Sequence, residues 1–230
     1  MTPPDVGVII VAAGAGTRAG GSELKQFRWI AGKPMLLHSI QLFQERSDVA
    51  MVVAVLPRAY AADPPPWIFQ CDTDRLLVSV GGRERIDSVR NGLEDLDASC
   101  TLTVVHDAAR PLITAALVSR VIDEARKGNC AVPGMRVSDT VKRAGDDLHV
   151  VETVGRDGLW RIQTPQAFPR EVLERAHLEA ARANHSATDD ASLCERIGAT
   201  VVIVPGSHRA MKITSEDDFA AAEALSILRE

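Results

Sequence analysis

Ala12-Ala13-Gly14-Ala15-Gly16-Thr17-Arg18 leaves a strongly apolar run, and Lys25 follows a few positions later. Glycines let the backbone approach a phosphate closely, and consecutive N–H groups form an anion cradle. Arginine adds a planar fork and lysine a compact charge, a pair suited to a triphosphate. Gly14-x-Gly16-x-x-Ala19 also fits a dinucleotide-binding spacing. The second apolar run, however, ends in Leu56-Pro57-Arg58, with no acidic residue to hold a ribose hydroxyl. The glycine segment does not turn straight into a helix, and no Gly-Lys-Ser/Thr follows, which removes a P-loop.

A second glycine segment, Gly81-Gly82-Arg83-Glu84-Arg85, is followed by Asp87 and Ser88. Small residues at the carboxyl end of a strand are where ligands dock in open α/β sheets. Asp107 and Ala108 close another apolar run, with Arg110 just beyond. A carboxylate there suits Mg²⁺, which takes one or two protein carboxylates and completes its shell with phosphate oxygens and water. Asp107 would equally serve as a helix N-cap. His106, with no second ligand at metal spacing, reads as a packed or hydrogen-bonded residue. Farther on stand Thr140 with Lys142, then Arg156, Thr164 and Thr188, the last a candidate N-cap. Lys212 interrupts Met211-Lys212-Ile213-Thr214, read as a short apolar strand whose cation wants an anion of the substrate as its partner, or else as an edge-strand lysine.

The elements that would position these residues alternate. Gly7–Ala13 reads as a buried strand. A segment of about 20 residues follows, longer than an ordinary connection, and Pro34 opens a helix. Strands are expected at Met51–Leu56, Leu76–Val80, Leu102–Val105, Cys130–Met135 and Thr200–Val204. Helices are expected over ERIDSVRNGLEDL, Ala115–Lys127, Pro169–Ala183, Asp190–Ile197 and after Thr214. This alternation predicts one doubly wound, mostly parallel α/β sheet spanning residues 1–230. Residues 136–160 break the pattern. Their polar alternation predicts a β-hairpin turning at Gly145-Asp146-Asp147, a projecting lid or dimerisation arm.

Composition excludes several classes. The 230 residues are 46% hydrophobic and 25% charged, so the chain is not intrinsically disordered. The net charge of -5 argues against a general nucleic-acid binder. No apolar run approaches the ~18 residues of a membrane span. MTPPDVGV lacks a basic segment ahead of an apolar one, so no signal peptide is expected. The four cysteines lack C-x-x-C spacing and read as reduced thiols in the cytoplasm.

Taken in order, AAGAGTR with Lys25, GGRERIDSV, VHDAARP, SDTVKRA, GRDGLW, TPQAF, TDDAS and MKITSEDD resemble the 2-C-methyl-D-erythritol 4-phosphate cytidylyltransferase family over nearly the whole chain. The resemblance implies a Rossmann-like nucleotidyltransferase fold and a homodimer whose hairpin arms cross. It implies Mg²⁺-dependent transfer of CMP from CTP to methylerythritol phosphate, in isoprenoid precursor biosynthesis by the methylerythritol phosphate route. It assigns Arg18, Lys25, Arg156 and Lys212 to catalysis. The nucleotide side would comprise residues Ala12 through Arg18, Lys25, Gly81, Gly82, Asp87, Ser88, Asp107 and Ala108. The acceptor side would comprise Asp107, Arg110, Thr140, Arg156, Thr164, Thr188 and Lys212, with Arg156 reaching the neighbouring subunit, and Asp107 would hold the metal. Leu24 stands where the family usually has proline before the loop lysine. The competing readings are a cytidylyltransferase acting on a pentitol phosphate such as ribitol 5-phosphate, and a nucleotide-binding regulatory module without turnover.

Overall fold

The computed structural model describes residues 3–14 and 24–228. Ala15, Gly16, Thr17 and Arg18 lie outside the described residues, so the fold places only Ala12, Ala13 and Gly14 of the first glycine segment.

In chain order, β1 (Val6–Val11) leads to β2 (Trp29–Ile30), β3 (Lys33–Pro34) and α1 (Met35–Gln44). Next come β4 (Val49–Leu56), α2 (Arg58–Ala62), β5 (Leu76–Val80), α3 (Arg85–Glu94), β6 (Leu102–Asp107), α4 (Ala115–Arg126) and β7 (Cys130–Arg136). The hairpin strands β8 (Val141–Ala144) and β9 (Val150–Val154) precede β10 (Trp160–Ile162) and β11 (Gln166–Pro169). The chain closes with α5 (Arg170–Arg182), α6 (Asp190–Arg196), β12 (Val201–Pro205) and α7 (Glu216–Ile227).

Eight strands form the main sheet, in the order β10-β7-β11-β6-β1-β4-β5, with β12 also on β7. β1 pairs in parallel with β4 and β6, and β4 with β5, while β10 and β11 run antiparallel to their neighbours. Alternate side chains of β1 face opposite layers, as a strand's two-residue period requires. Val8 and Ile10 pack with Leu36, Ile40 and Phe43 of α1 and Leu117, Val118, Val121 and Ile122 of α4. Ile9 packs with Val89 and Leu93 of α3 and Leu173 and Ala176 of α5. Helices therefore cover both faces, as the near-continuous apolar runs demand.

The long glycine-rich connection contains structure that composition did not suggest. Lys25–Phe27 is a 3₁₀ turn, and β2 pairs with β3. Ala31 and Gly32 between them have φ of 47° and 80°, the two positive values of a type I′ hairpin turn. Three local expectations change. Residues 211–214 form no strand. The N-cap of α6 is Asp189 rather than Thr188, with its carboxylate accepting from Ser192 N–H at 3.1 Å. Asp107 is the last residue of β6 rather than a helix cap, since α4 begins at Ala115 behind Thr114.

Candidate active site

Parallel pairing brings the carboxyl ends of β1, β4, β5 and β6 to one edge. Val11 stands beside Asp107 and Val55, and Leu56 beside Val80. The segments leaving these strands are then fastened together. Ala12 N–H donates to Val55 O at 2.9 Å, Ala108 N–H to Val11 O at 3.1 Å and Gly81 N–H to Leu56 O at 2.7 Å.

These exits line a cleft of about 430 Å³ that includes Ala12, Ala13, Gly14, Lys25, Gly82 and Ser88. Gly81 must be glycine, since a Cβ there would lie 2.1 Å from Ala13 Cβ. Ser88 is buried, and its Oγ accepts from Gly82 N–H and donates to Glu84 O, both at 3.1 Å, which fixes the Gly82 turn. Asp87 does not line the cleft. Its carboxylate accepts from Glu84 N–H at 3.1 Å and pairs with Arg90 at 2.9 Å, closing the capping box of α3. Gln26, buried under the first glycine segment, donates to Ala12 O at 2.6 Å and Gly14 O at 3.2 Å. Lys25 Nζ donates to Ile213 O at 2.7 Å, tying the 3₁₀ turn to the segment ahead of α7.

A second pocket of about 240 Å³ adjoins the first and is lined by Arg110, Gln163, Thr164, Gln166, Thr188 and Asp189 among others. Arg85, Asp107 and Lys212 line both pockets. They form a chain of charges, with Arg85 Nε 3.1 Å from Asp107 Oδ1 and Lys212 Nζ 2.8 Å from Asp107 Oδ2. Burial alone would raise the Asp107 carboxyl. The positive charges of Arg85 and Lys212 outweigh it and hold the group well below the usual carboxylate range. Asp107 N–H donates to Thr164 Oγ1 at 3.0 Å, and the same oxygen lies 3.1 Å from His106 Nδ1. Burial pushes His106 down to about 3, so its imidazole stays neutral behind the site. Arg110 Nη1 donates to Ala210 O at 2.5 Å, while its buried Nε has no partner among the described residues.

Thr140 and Arg156 line neither pocket. Both are exposed on or beside the hairpin, where Arg156 Nη1 donates to Ser138 O. Sequence reasoning passed over Arg85 and Gln26. Arg85 carried a signal: it is the first residue of α3, where the positive end of the helix dipole disfavours a cation. Such a placement implies anionic partners. Gln26 carried no such signal, because its role depends on the 3₁₀ turn.

Among the described residues no cluster of three or more His, Cys, Asp or Glu could hold a metal alone. Asp107 is the one acidic residue that lines both pockets, while Glu84 lines the first alone and Asp189 the second alone. That donor set fits Mg²⁺ held mainly by substrate phosphates, and does not fit an all-protein cage.

Comparison with known proteins agrees with this geometry. Residues 6–230 match the family model of 2-C-methyl-D-erythritol 4-phosphate cytidylyltransferase (IspD). Relatives of that name include proteins from Syntrophus aciditrophicus, 39% identical over 96% of this chain and 95% of the relative, and Ralstonia nicotianae, 43% identical over 94% and 90%. The crystal structure of the Thermus thermophilus enzyme superposes with a TM-score of 0.82 at 33% identity, covering 97% of this chain and 100% of that one.

Proposed function

This chain belongs to the 2-C-methyl-D-erythritol 4-phosphate cytidylyltransferase family, and on that premise we propose how its residues divide the reaction. It is a nucleotidyltransferase that transfers CMP from CTP to 2-C-methyl-D-erythritol 4-phosphate and releases pyrophosphate. The observation that carries the assignment of roles is the pair of adjoining pockets that share Arg85, Asp107 and Lys212. CTP occupies the larger, and the acceptor phosphate enters the smaller.

A phosphate monoester has its second pKa near ~6, so the acceptor is already a dianion at neutral pH. It needs no base. One of its oxygens attacks the α-phosphorus in line, the new P–O bond forms as the α–β bridge breaks, and the electron pair leaves with pyrophosphate. Catalysis is positioning and charge stabilisation. Arg18 and Lys25 embrace the triphosphate and receive the charge that develops on the leaving group. Lys212 sits on the seam and offsets repulsion between the two anions. Arg110, whose buried Nε has no partner among the described residues, and Thr164 and Thr188 receive the acceptor. Gly82 lines the nucleotide pocket with Ser88 fixing its turn, and Gly81 lets the exit of β5 approach Ala13. Bound Mg²⁺ would be held by Asp107 and phosphate oxygens, and would supply neutralising charge.

The acceptor side is completed by a second copy of the chain. Leu148, Val150 and Val151 of the hairpin are exposed by 85%, 60% and 69%. Such apolar side chains on a projecting two-stranded ribbon suit a dimer in which the partner's Arg156 and Thr140 reach this pocket. The enzyme works in the cytoplasm on this reading; among the described residues no helix is long and apolar enough to cross a membrane.

Incubation with CTP, Mg²⁺ and methylerythritol phosphate, with pyrophosphate assayed, tests the reaction. A parallel arm with ribitol 5-phosphate should be at least tenfold slower. Equal rates would reassign the acceptor, and no pyrophosphate in either arm would overturn the reading.

A further inference from the structure

Asp190, the first residue of α6, is 1% exposed and lines neither pocket. A buried carboxylate is costly unless paired, so its retention asks what it pairs with. Its Oδ2 lies 2.7 Å from Arg85 Nη1, and its Oδ1 lies 3.0 Å from Nε2 of His177 on α5, itself 3% exposed. Arg85 in turn reaches Asp107 through Nε. One guanidinium thus spans two carboxylates, with its planar fork fixed at both ends. The line His177–Asp190–Arg85–Asp107–Lys212 runs from the interior between two helices to the wall shared by the pockets.

Local forces do not explain this line. A cation as the first residue of α3 opposes the helix dipole. Replacing a buried ion pair by apolar residues of similar volume is often neutral or stabilising, so the pair is weak evidence for a purely stabilising role. What the arrangement does provide is orientation: Asp190 cannot reach a substrate in either pocket, but it fixes the angle of the group that sets Asp107.

We propose that Asp190 and His177 are positioning residues that hold Arg85 on the shared wall, so that Arg85 sets the Asp107 carboxylate between nucleotide and acceptor. This rests on the two-pocket reading above. The prediction is a kcat effect without loss of binding. Asp190→Asn keeps the shape of the side chain and removes its charge. Turnover should fall by about 10- to 100-fold, the range for losing an outer partner of a site group, while KM for CTP stays within about threefold. If Asp190 acts through Arg85, the losses must not multiply: Asp190→Asn combined with Arg85→Lys should be no slower than about twofold below Arg85→Lys alone.

The experiment is steady-state kinetics of these variants beside wild type, with circular dichroism melts to confirm folding. A folded Asp190→Asn with wild-type kcat, or a double variant whose loss is the product of the single losses, overturns the proposal. Should Asp190→Asn fail to fold, the His177 pair decides. His177→Leu deletes the donor to Asp190 and should lose at least about fivefold in kcat, whereas His177→Gln, which replaces the donor, should recover most of that loss. Equal turnover in those two variants also overturns it. Inactivity of the wild type itself would instead refute the cytidylyltransferase reading.

Discussion

The wall between the two pockets and the β8–β9 hairpin handle charge in opposite ways. At the wall, Asp107 is 8% exposed and each of its oxygens has a cationic partner from a distant part of the chain, Arg85 and Lys212. On the hairpin, Arg143 pairs with Glu152 across two strands at 2.6 Å, with both side chains more than half exposed. In the first set the carboxylate is buried, with Arg85 partly covered and Lys212 reaching in from the surface, and it is held by several elements before any ligand arrives. The second is wet, local and screened. Preorganised charge is strong where water is excluded, so the wall is where the chemistry gains most. On the proposed reading, the hairpin contributes by where its residues can be carried.

Three substitutions sharpen that contrast at the cleft and the arm. Lys25→Ala removes a charge anchored beside the proposed triphosphate site and should lower kcat by roughly 10²-fold or more. Near-normal turnover would remove Lys25 from the mechanism. Gly81→Ala puts a methyl where Ala13 Cβ already lies, 2.1 Å away, and forces the β1 and β5 exits apart. Titration calorimetry should show CTP binding weakened by about tenfold or more, since ångström-scale misplacement is costly. Unchanged affinity would mean that the exits adjust freely. Arg156→Ala should raise KM for the acceptor by about tenfold, the scale of a lost charged hydrogen bond. CTP affinity should remain, because Arg156 lines neither pocket of its own chain. Weakened CTP binding instead would place Arg156 on the nucleotide side.

The same contrast predicts a pH dependence. Asp107 and Asp190 are both held below their ordinary values, against burial, by Arg85 and further partners. A group depressed on folding adds stability that is complete above its unfolded value, near ~4 for a carboxyl, and fades as pH falls through the lower folded value. The melting temperature should therefore drop as pH falls below about 4. Asp190→Asn should flatten that slope; an unchanged slope would show that the buried carboxylate is not ionised.

What could be read from the sequence follows the same division. The sheet was legible because apolar runs such as VIIV and MVVAVL must be buried on both faces, and only a parallel sheet under helices buries them. The place of Asp107 on the pocket wall was legible because open sheets form their crevice at the carboxyl ends of strands. Lys212 was legible as a cation needing an anion, but not the partner itself, because Asp107 is more than a hundred residues away and no local pattern encodes that meeting. The strand expected around Lys212 failed because apolar residues there fill a satellite cluster: Ile213 packs with Phe219 and Ala222 of α7 and with Met35. Thr188 lost the cap to Asp189 because the two are adjacent acceptors and only geometry selects one. Arg85 was passed over because a strand–helix turn rich in charge looks like solvated surface until α6 folds against it.

The smallest effect belongs to the hairpin's own ion pair, and it tests whether the arm matters for its surface or for its reach. Arg143→Ala breaks the contact with Glu152 but leaves the β8–β9 backbone pairing and the apolar residues of β9 intact. An exposed pair of this kind is worth little, so the melting temperature should move by no more than about 2 °C. Turnover should be unchanged, because Arg143 lines neither pocket. A large fall in activity with an unchanged melt would mean that this charge meets a second chain or a substrate. The arm would then share in the electrostatics now assigned to the buried wall alone.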